Sequence, residues 1–344
     1  MKLSMKVMTE ALPLAQIFRI SRGAKSAAHV VVVVVTDGKN VGWGEAVPYA
    51  RYNETLDSVC AQLAHVQSDI AHLSLPPKLA PLLPAGAARN ALDCALWDLY
   101  AKQQQCLVQE LLELPMVVGC QTAQTISIDT IDNMQLAARQ LKHNKLLKVK
   151  LNNIDVLPRM RVIHQACPDS QFIVDPNEGW DIALLKAVAE PLKACNVVLL
   201  EQPLPQADEH HLAGYECPIP ICADESCHTS TDLERLLPLY QAVNIKLDKT
   251  GGLTEACELL KLAKHHQLQV MVGCMVASSL AMAPAYLLCA DAKFVDLDGP
   301  LLVKQDRHNG FAFAQGSMQP GPSHLWGLGD NSNEAQILDF INRH

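Results

Sequence analysis

The stretch Phe172-Ile-Val-Asp175-Pro-Asn-Glu-Gly-Trp180 is a short apolar run that ends in a carboxylate and then breaks at a proline. Such a run reads as a buried strand delivering an acid to its C-terminal tip. The construction recurs in Asn196-Val-Val-Leu-Leu-Glu201-Gln-Pro and in Ile219-Pro-Ile-Cys-Ala-Asp224-Glu-Ser. Asp175, Glu201 and Asp224 stand 26 and 23 residues apart. That spacing is what one strand, one helix and two loops occupy in a parallel βα unit. Counting back by a similar interval reaches Lys150 in Leu146-Leu-Lys148-Val-Lys150-Leu. Counting forward reaches Lys246 in Ala242-Val-Asn-Ile-Lys246-Leu, and two intervals later Asp296 in Phe294-Val-Asp-Leu-Asp298-Gly. Charged residues thus sit at strand ends in register with a βα repeat.

Working outward, the pattern predicts strands over Thr122–Ile128, Leu146–Leu151, Phe172–Asp175, Val197–Glu201, Ile219–Ala223, Ala242–Leu247, Gln269–Gly273 and Phe294–Asp298, with helical segments between successive strands. Eight strands joined by seven helices describe a closed α/β barrel more economically than an open sheet. Residues 1–120 read differently. A hairpin spans 29–47, turning at Asp37-Gly38, and helices follow over Leu56–Ile70 and Ala87–Gln103, which together indicate an α+β domain. Within it, Gln16–Ser26 reads as a polar, glycine-containing loop. The expected organisation is an α+β capping domain over 1–120, a barrel over 121–315, and a tail over 316–344 that packs back on the capping domain.

The 344-residue chain suits a barrel of about 250 residues with an attached domain. Its net charge of −8 and lack of a basic stripe argue against a nucleic-acid partner. The valine run Val30–Val35 is far shorter than the roughly 20 residues that span a bilayer. The start of the chain carries no signal-peptide pattern, so a cytoplasmic protein without a membrane partner is expected. Twelve cysteines are scattered without a Cys-x-x-Cys pair and read as buried free thiols. Among thirteen histidines there is no His-Glu-x-x-His, and His210-His211 and His265-His266 read as solvated surface.

The active site of a barrel forms at the C-terminal ends of its strands, where these charged residues fall. Strand periodicity puts Lys148 and Lys150 on one face, and Asn244 and Lys246 on one face, while Leu147, Val149, Leu151, Val243, Ile245 and Leu247 turn to the helices. Crowded carboxylates repel one another unless a cation compensates. Three oxygen donors without histidine or thiolate favour Mg²⁺ or Mn²⁺. A cation held by Asp175, Glu201 and Asp224 can take a substrate carboxylate and stabilise the enediolate formed when the adjacent carbon loses its proton. A lysine base needs a lowered pKa, and the metal and the Lys148 ammonium beside Lys150 would both push it down. The second and sixth strands of a barrel lie on opposite sides of its axis, so Lys150 and Lys246 would flank the substrate carbon, one removing a proton and the other returning one. Opposed bases imply racemisation or epimerisation.

The motifs Lys148-x-Lys150, Asp175-x-Asn177, Glu201-Gln-Pro, Ala223-Asp-Glu-Ser and Asn244-x-Lys246-x-x-Lys249-x-Gly-Gly resemble those of the enolase superfamily, and within it the muconate-lactonising subgroup. The resemblance covers nearly the whole chain. It implies an enolase-like fold, a modified TIM barrel (β/α)7β with an α+β capping domain, one Mg²⁺ per subunit with Mn²⁺ able to substitute, and a homo-oligomer. It assigns general acid/base chemistry to Lys150 and Lys246, supported by Lys148, and places Lys249 in the following loop without such a role. The seventh strand, Val270-Met-Val-Gly-Cys-Met275, has no histidine, which disfavours the mandelate-racemase-like subgroup. Asp296-Leu-Asp298 resembles the Asp-x-Asp motif with which dipeptide epimerases hold a substrate ammonium group. The implied activity is interconversion of L-Ala-D-Glu and L-Ala-L-Glu, linked to murein peptide recycling. The glutamyl side chain would need a cation, for which Arg22, with Arg19 or Lys25, is available. Thr125 and Ser127 would donate hydrogen bonds near the substrate, and Ser278 either caps the seventh helix or closes the pocket. Alternatives sharing the lysines and carboxylates are o-succinylbenzoate synthase and N-acylamino acid racemase, neither of which needs an ammonium site. An alternative from a different class is an inactive metal-binding relative.

Overall fold

The computed structural model describes residues 2–21, 23–73, 76–321 and 324–344. The chain begins with three antiparallel strands, β1 (Ser4–Ile20), β2 (Gly23–Thr36) and β3 (Val41–Ala46), in the order β1-β2-β3. The valine run lies in β2, the central strand, and both its faces are buried. Val30, Val32 and Val34 join the large cluster shared with the rest of the molecule, and Val31, Val33 and Val35 pack against helices Leu56–His65 and Ala87–Gln104. A strand covered on both sides needs no polar alternate, so its residues are apolar throughout. The expected loop over 16–26 is instead the end of a long hairpin. Phe18 pairs with Lys25, Arg19 with Ala24 and Ile20 with Gly23, after a register shift between Pro13 and Phe18. Polar composition suggested a loop there, but a strand pair facing solvent on one side is polar for the same reason. The helix expected over Leu56–Ile70 is broken at Val66 into Leu56–His65 and Gln67–Ile70.

Helix Ala87–Gln104 lies against β3 at glycine distance. A Cβ at Gly42 would stand closer than 3.0 Å to the Ala95 carbonyl oxygen and the Leu99 backbone nitrogen, and one at Gly44 would meet the Ala91 carbonyl and the Ala95 nitrogen. These are backbone atoms that cannot rotate away. Gly42→Ala is expected to cost roughly 1–3 kcal/mol, read as a lower urea midpoint at unchanged slope. A midpoint equal to that of the parent would show that sheet and helix can separate freely.

After a short strand β4 (Cys120–Gln121) come eight parallel strands: β5 (Gln124–Ile126), β6 (Leu146–Lys150), β7 (Gln171–Asp175), β8 (Val197–Glu201), β9 (Ile221–Ala223), β10 (Ala242–Ile245), β11 (Gln269–Gly273) and β12 (Phe294–Asp296). They run in sequence order around the sheet, and the Ala123 N–H donates to the Val295 carbonyl across the seam at 2.8 Å. The result is a nearly closed barrel. Thr122 is withdrawn from the expected first strand because its N–H donates to Gly316 and its hydroxyl accepts from the Leu297 N–H. Helices cross between most neighbours, but the connection from β8 to β9 is only the 3-10 stretch Gln206–Leu212. Pro203, Pro205, Pro218 and Pro220 crowd that connection, and proline removes helical N–H donors.

Two apolar layers alternate along the barrel strands. Leu146, Ile173, Leu199, Cys222, Ala242, Met271 and Phe294 point inward and form one closed cluster at the bottom of the barrel. Leu147, Val149, Phe172, Val174, Leu200, Val243, Ile245, Val270 and Val272 point outward to the helices. By the period of two, the residues above the inward layer are Lys148 and Lys150, Asp175, Glu201, Asp224, Asn244 and Lys246, and Asp296. A dry floor therefore carries a charged layer directly above it.

The chain closes with β13 (Phe313–Ala314) and β14 (Ser317–Met318), which form a small sheet with β4, and with helix Glu334–Arg343. Phe340 of that helix meets Trp43 of β3 edge to face at 6.1 Å, and Trp43 Nε1 donates to the Leu325 carbonyl. Among the described residues no helix is long and apolar enough to cross a membrane.

Candidate active site

Asp175, Glu201 and Asp224 stand at the tips of three adjacent strands, and they and Lys148, Lys150 and Lys246 are at most 7% exposed. The chain turns sharply as soon as the first two are delivered. Asn177, Glu178 and Gln202 take left-handed backbone with φ of 49°, 65° and 37°, conformations that cost non-glycine residues energy and cluster at functional sites. Asn177 offsets part of that cost by donating its backbone N–H to Asp175 Oδ1 at 2.8 Å. Gln202 accepts from the Asp224 N–H (2.9 Å) and the Ser226 N–H and donates to Leu204, Ser226 and Tyr240. It thereby fixes the β9 tip against β8.

Ammonium groups stand among the carboxylates. Lys150 Nζ is 2.5 Å from Asp175 Oδ2, and Lys246 Nζ is 2.6 Å from Asp224 Oδ2. Lys148 Nζ is 2.7 Å from Glu201 Oε2, 2.8 Å from Asp296 Oδ2 and 3.2 Å from Asp175 Oδ2. β6 and β10 are four places apart in the ring of eight, so Lys150 and Lys246 approach from opposite walls. Lys249 lies in the short helix Leu247–Thr250 rather than in a loop, and it is fully buried. Its Nζ donates to Asp224 Oδ1 and to the Asp224 and Asn244 carbonyls, which clamps β9 to β10.

The acids around them set the electrostatics of Lys148 and Lys246. Burial and the neighbouring Lys148 push the Lys246 pKa down, but Asp224, Glu201 and Glu225 together outweigh them and hold it above the usual lysine value. Lys148 is likewise held well above it, with Asp296, Glu201 and Asp175 overcoming its desolvation. Whatever compensates Asp224 removes the contact that keeps Lys246 protonated and leaves burial and Lys148 to lower it. Among the acids, burial would raise Asp175, yet Lys150 and Lys148 bring it to about 2. Lys246 and Lys249 hold Asp224 well below the carboxylate range against its burial. Glu201 goes the other way, to about 8, through burial and the charges of Asp175 and Asp224.

Among the described residues no three carboxylate, imidazole or thiol groups close on one common point. The lysine ammonium groups stand between the acids. Even so, the donor set suits a hard divalent cation, because it is all oxygen. Glu201 Oε2 is fully buried and makes no hydrogen bond, since Lys148 lies within ion-pair distance but off the hydrogen-bonding line. A cation at these three acids would engage that oxygen and relieve the repulsion that raises Glu201.

Above this layer lies a cavity of about 1050 Å³, walled by both parts of the chain. The barrel supplies Thr125, Lys148, Lys150, Asn177, Asp224, Glu225, Lys246, Asp296 and Asp298. The long hairpin adds Phe18, Ile20, Lys25 and His29, and the segment after β3 adds Tyr49, Arg51 and Tyr52. Asp298 follows β12, at the start of helix Gly299–Leu302, and accepts the Thr125 N–H at 2.7 Å. Burial and then Asp296 push it up to about 7. Lys25 lies 5.0 Å over the Tyr49 ring and borders the cavity. Arg19 is exposed 3.9 Å from Asp129 and does not line it, and Arg22 lies outside the described residues. Ser127, on the same face as Thr125, is half-buried and is not among the described lining residues. Ser278 is a helix cap, accepting the Leu280 N–H, and Glu45 of β3 receives its N–H and its hydroxyl at 2.8 and 2.6 Å.

Several wall residues carry no sequence signal. Cys274, Met275 and Val276 follow β11 and border the cavity, in a segment without a charge or motif. Arg51 makes a bidentate pair with Glu178 at 2.8 Å, and Tyr52 meets His228 edge-on at 4.4 Å. Only the juxtaposition of the two parts of the chain reveals these contacts.

Comparison with known proteins agrees with this fold. Residues 2–113 match the N-terminal domain model of mandelate racemase/muconate lactonizing enzymes, and residues 132–329 match the enolase C-terminal domain-like model. An N-acetyl-D-glutamate racemase of a Pseudoalteromonas species is 50% identical over 88% of this chain and 96% of its own length. The L-Ala-D/L-Glu epimerase of Escherichia coli K12 is 44% identical over 92% of this chain and 99% of its own. Among solved structures, an enolase family member from Agrobacterium tumefaciens with homology to dipeptide epimerases, holding sodium and L-Ala-L-Glu, superposes with a TM-score of 0.92. It is 39% identical and covers 94% of this chain and 100% of its own. A dipeptide epimerase from Methylococcus capsulatus complexed with Mg and L-Arg-D-Lys has a TM-score of 0.88 at 29% identity, over 96% of this chain and 99% of its own. The two matched models together span most of the chain, which belongs to the mandelate racemase/muconate lactonizing enzyme family of the enolase superfamily.

Proposed function

We propose that this chain is an isomerase that epimerises a dipeptide, L-Ala-D-Glu to and from L-Ala-L-Glu, by removing and returning the glutamyl α-proton from opposite faces. The observation that carries this reading is the pair of ammonium groups, Lys150 and Lys246, entering one cavity from opposed strands, with Asp296 and Asp298 on a third side. One lysine in its neutral form takes the proton from the α-carbon, and the other, as an ammonium, returns one to the opposite face. Lys148 balances Glu201 and Asp296, and Lys249 with Gln202 hold Asp224 in place. Asp175, Glu201 and Asp224 would hold Mg²⁺, one per subunit with Mn²⁺ as a substitute, and the ion would polarise the substrate carboxylate and acidify the adjacent C–H. The apolar floor of the barrel and the hairpin above it wall the site, and a low-dielectric wall strengthens each of these interactions.

Two observations favour a second reading, racemisation of N-acetylglutamate: the 50% identity to such a racemase, and the engagement of Asp296 by Lys148. Both candidate substrates are N-acylated glutamates, so they share the reacting carbon and differ at the acyl end, where the dipeptide adds an ammonium group and a methyl group. The test is proton NMR of L-Ala-D-Glu, L-Ala-L-Glu and N-acetyl-D-glutamate in deuterated water with enzyme and Mg²⁺. Loss of the α-proton signal with appearance of the other epimer is expected, abolished by chelator and restored by added Mg²⁺. Turnover unaffected by exhaustive chelation would remove the metal from the reading, and inertness of all three substrates would remove the reading itself.

A further inference from the structure

Among the described residues, the acids at the end of β12 are short of cations. Asp296 and Asp298 are each 4% exposed and both line the cavity. The cation bonded to this pair is Lys148, which Glu201 and Asp175 also engage. Asp296 Oδ1 is buried and makes no hydrogen bond, and Asp298 accepts from Thr125, through its backbone N–H and its hydroxyl. The groups that face Asp298 are few. Asp296 stands on its own segment, Lys148 on β6, Thr125 on β5, and the Cys274 thiol after β11, with Lys246 beyond Cys274. Two buried carboxylates sharing a fraction of one ammonium cannot both stay ionised cheaply. They must gain either a proton or a cation from the cavity.

We propose that the Asp296–Asp298 pair binds one exchangeable proton, and that this proton selects between two classes of acylated glutamate, so that the chain racemises N-acylglutamates as a second activity. Doubly ionised, the pair holds a substrate that brings its own ammonium group, such as a dipeptide. Singly protonated, it is compensated already, and the protonated carboxyl donates a hydrogen bond to the uncharged acyl end of an N-acyl substrate. The reaction is the same in both cases. The α C–H bond breaks, its proton goes to one lysine, and a proton from the opposed lysine forms the new C–H bond, with no change of oxidation state. The inference rests on the proposed two-lysine chemistry, and the buried, unbonded Asp296 Oδ1 is the observation specific to it.

The consequence is a change of substrate preference with pH that does not depend on the catalytic lysines. Any group that serves both reactions alters them alike and cancels in the ratio of their kcat/KM values. The ratio of ionised to singly protonated pair rises about tenfold per pH unit. The preference for L-Ala-D-Glu over N-acetyl-D-glutamate is therefore expected to climb about a hundredfold between pH 5.5 and 7.5, below the titration of the dipeptide amine near 8. Both substrates are assayed with the full-length Mg²⁺-loaded enzyme by α-proton exchange in deuterated buffer. In Asp298→Asn the ratio is expected to lose its pH dependence and to shift toward the N-acetyl substrate, and the wild-type profile decides the matter if that variant does not fold. A flat ratio with both substrates turning over overturns the inference and leaves the proposed reaction standing. Turnover of the dipeptide alone at every pH also overturns it. If neither substrate exchanges at any pH, the underlying reaction fails and the inference falls with it.

Discussion

Lys150→Ala and Lys246→Ala are each expected to lower epimerisation of L-Ala-D-Glu by about a thousandfold, since a positioned acid or base contributes roughly 10²–10⁴. The two losses should differ in kind. With one lysine gone, the other still reaches the α-proton of one epimer, so solvent deuterium should enter that epimer without conversion to the other diastereomer. Each variant should therefore retain exchange in one diastereomer only, and the two variants should retain it in opposite ones. Proton NMR of each diastereomer in deuterated water separates exchange from inversion. Lys150 is also the closest ammonium to Asp175, and Lys246 to Asp224. Thermal melts of both variants should accompany the kinetics so that a lost fold is not read as lost chemistry. If either variant inverts both epimers within tenfold of the parent rate, that lysine is not one of the opposed acid/base groups.

Asp296→Asn is expected to lower kcat/KM for L-Ala-D-Glu by about a hundredfold or more, because deleting one member of a buried charge pair typically costs 2–5 kcal/mol. The amide keeps the shape of the side chain and can still accept from Lys148, which retains Glu201 and Asp175. The deficit should therefore fall on the substrate that carries an ammonium group, and activity toward N-acetyl-D-glutamate should stay within a few-fold of the parent. Measured together, the two substrates discriminate the readings of the pocket. Equal losses on both would mean that Asp296 serves the lysine layer and not the substrate amine.

The strand-end acids and lysines were legible because they obey two rules that act locally, the period of two within a strand and the repeat length of a βα unit. Leu146, Lys148 and Lys150 share one face by parity alone, and the structure buries Leu146 in the barrel floor and sets both lysines above it. Where local rules compete, the reading failed. The polar composition of residues 16–26 suits a turn and a solvent-facing strand alike, and the β8–β9 connection is long enough for a helix while its prolines disfavour one. Asp298 falls at a strand end by spacing, yet its bond to the Thr125 N–H exists only because the barrel brings β5 and β12 together.

The amino-acid sequence by itself determined the barrel, the order of its strands and the layer of inward charges, since each follows from residues close together in the chain. The tertiary structure decided the rest. It alone shows that Lys148 is shared by Glu201, Asp175 and Asp296, that Lys249 clamps Asp224, that the hairpin and the segment after β3 roof the cavity, and that Asp296 Oδ1 is left without a hydrogen bond. The reason is physical. The protonation of a buried group depends on the sum of all charges and dipoles around it, and those come from strands up to 173 residues apart, as for Thr125 and Asp298.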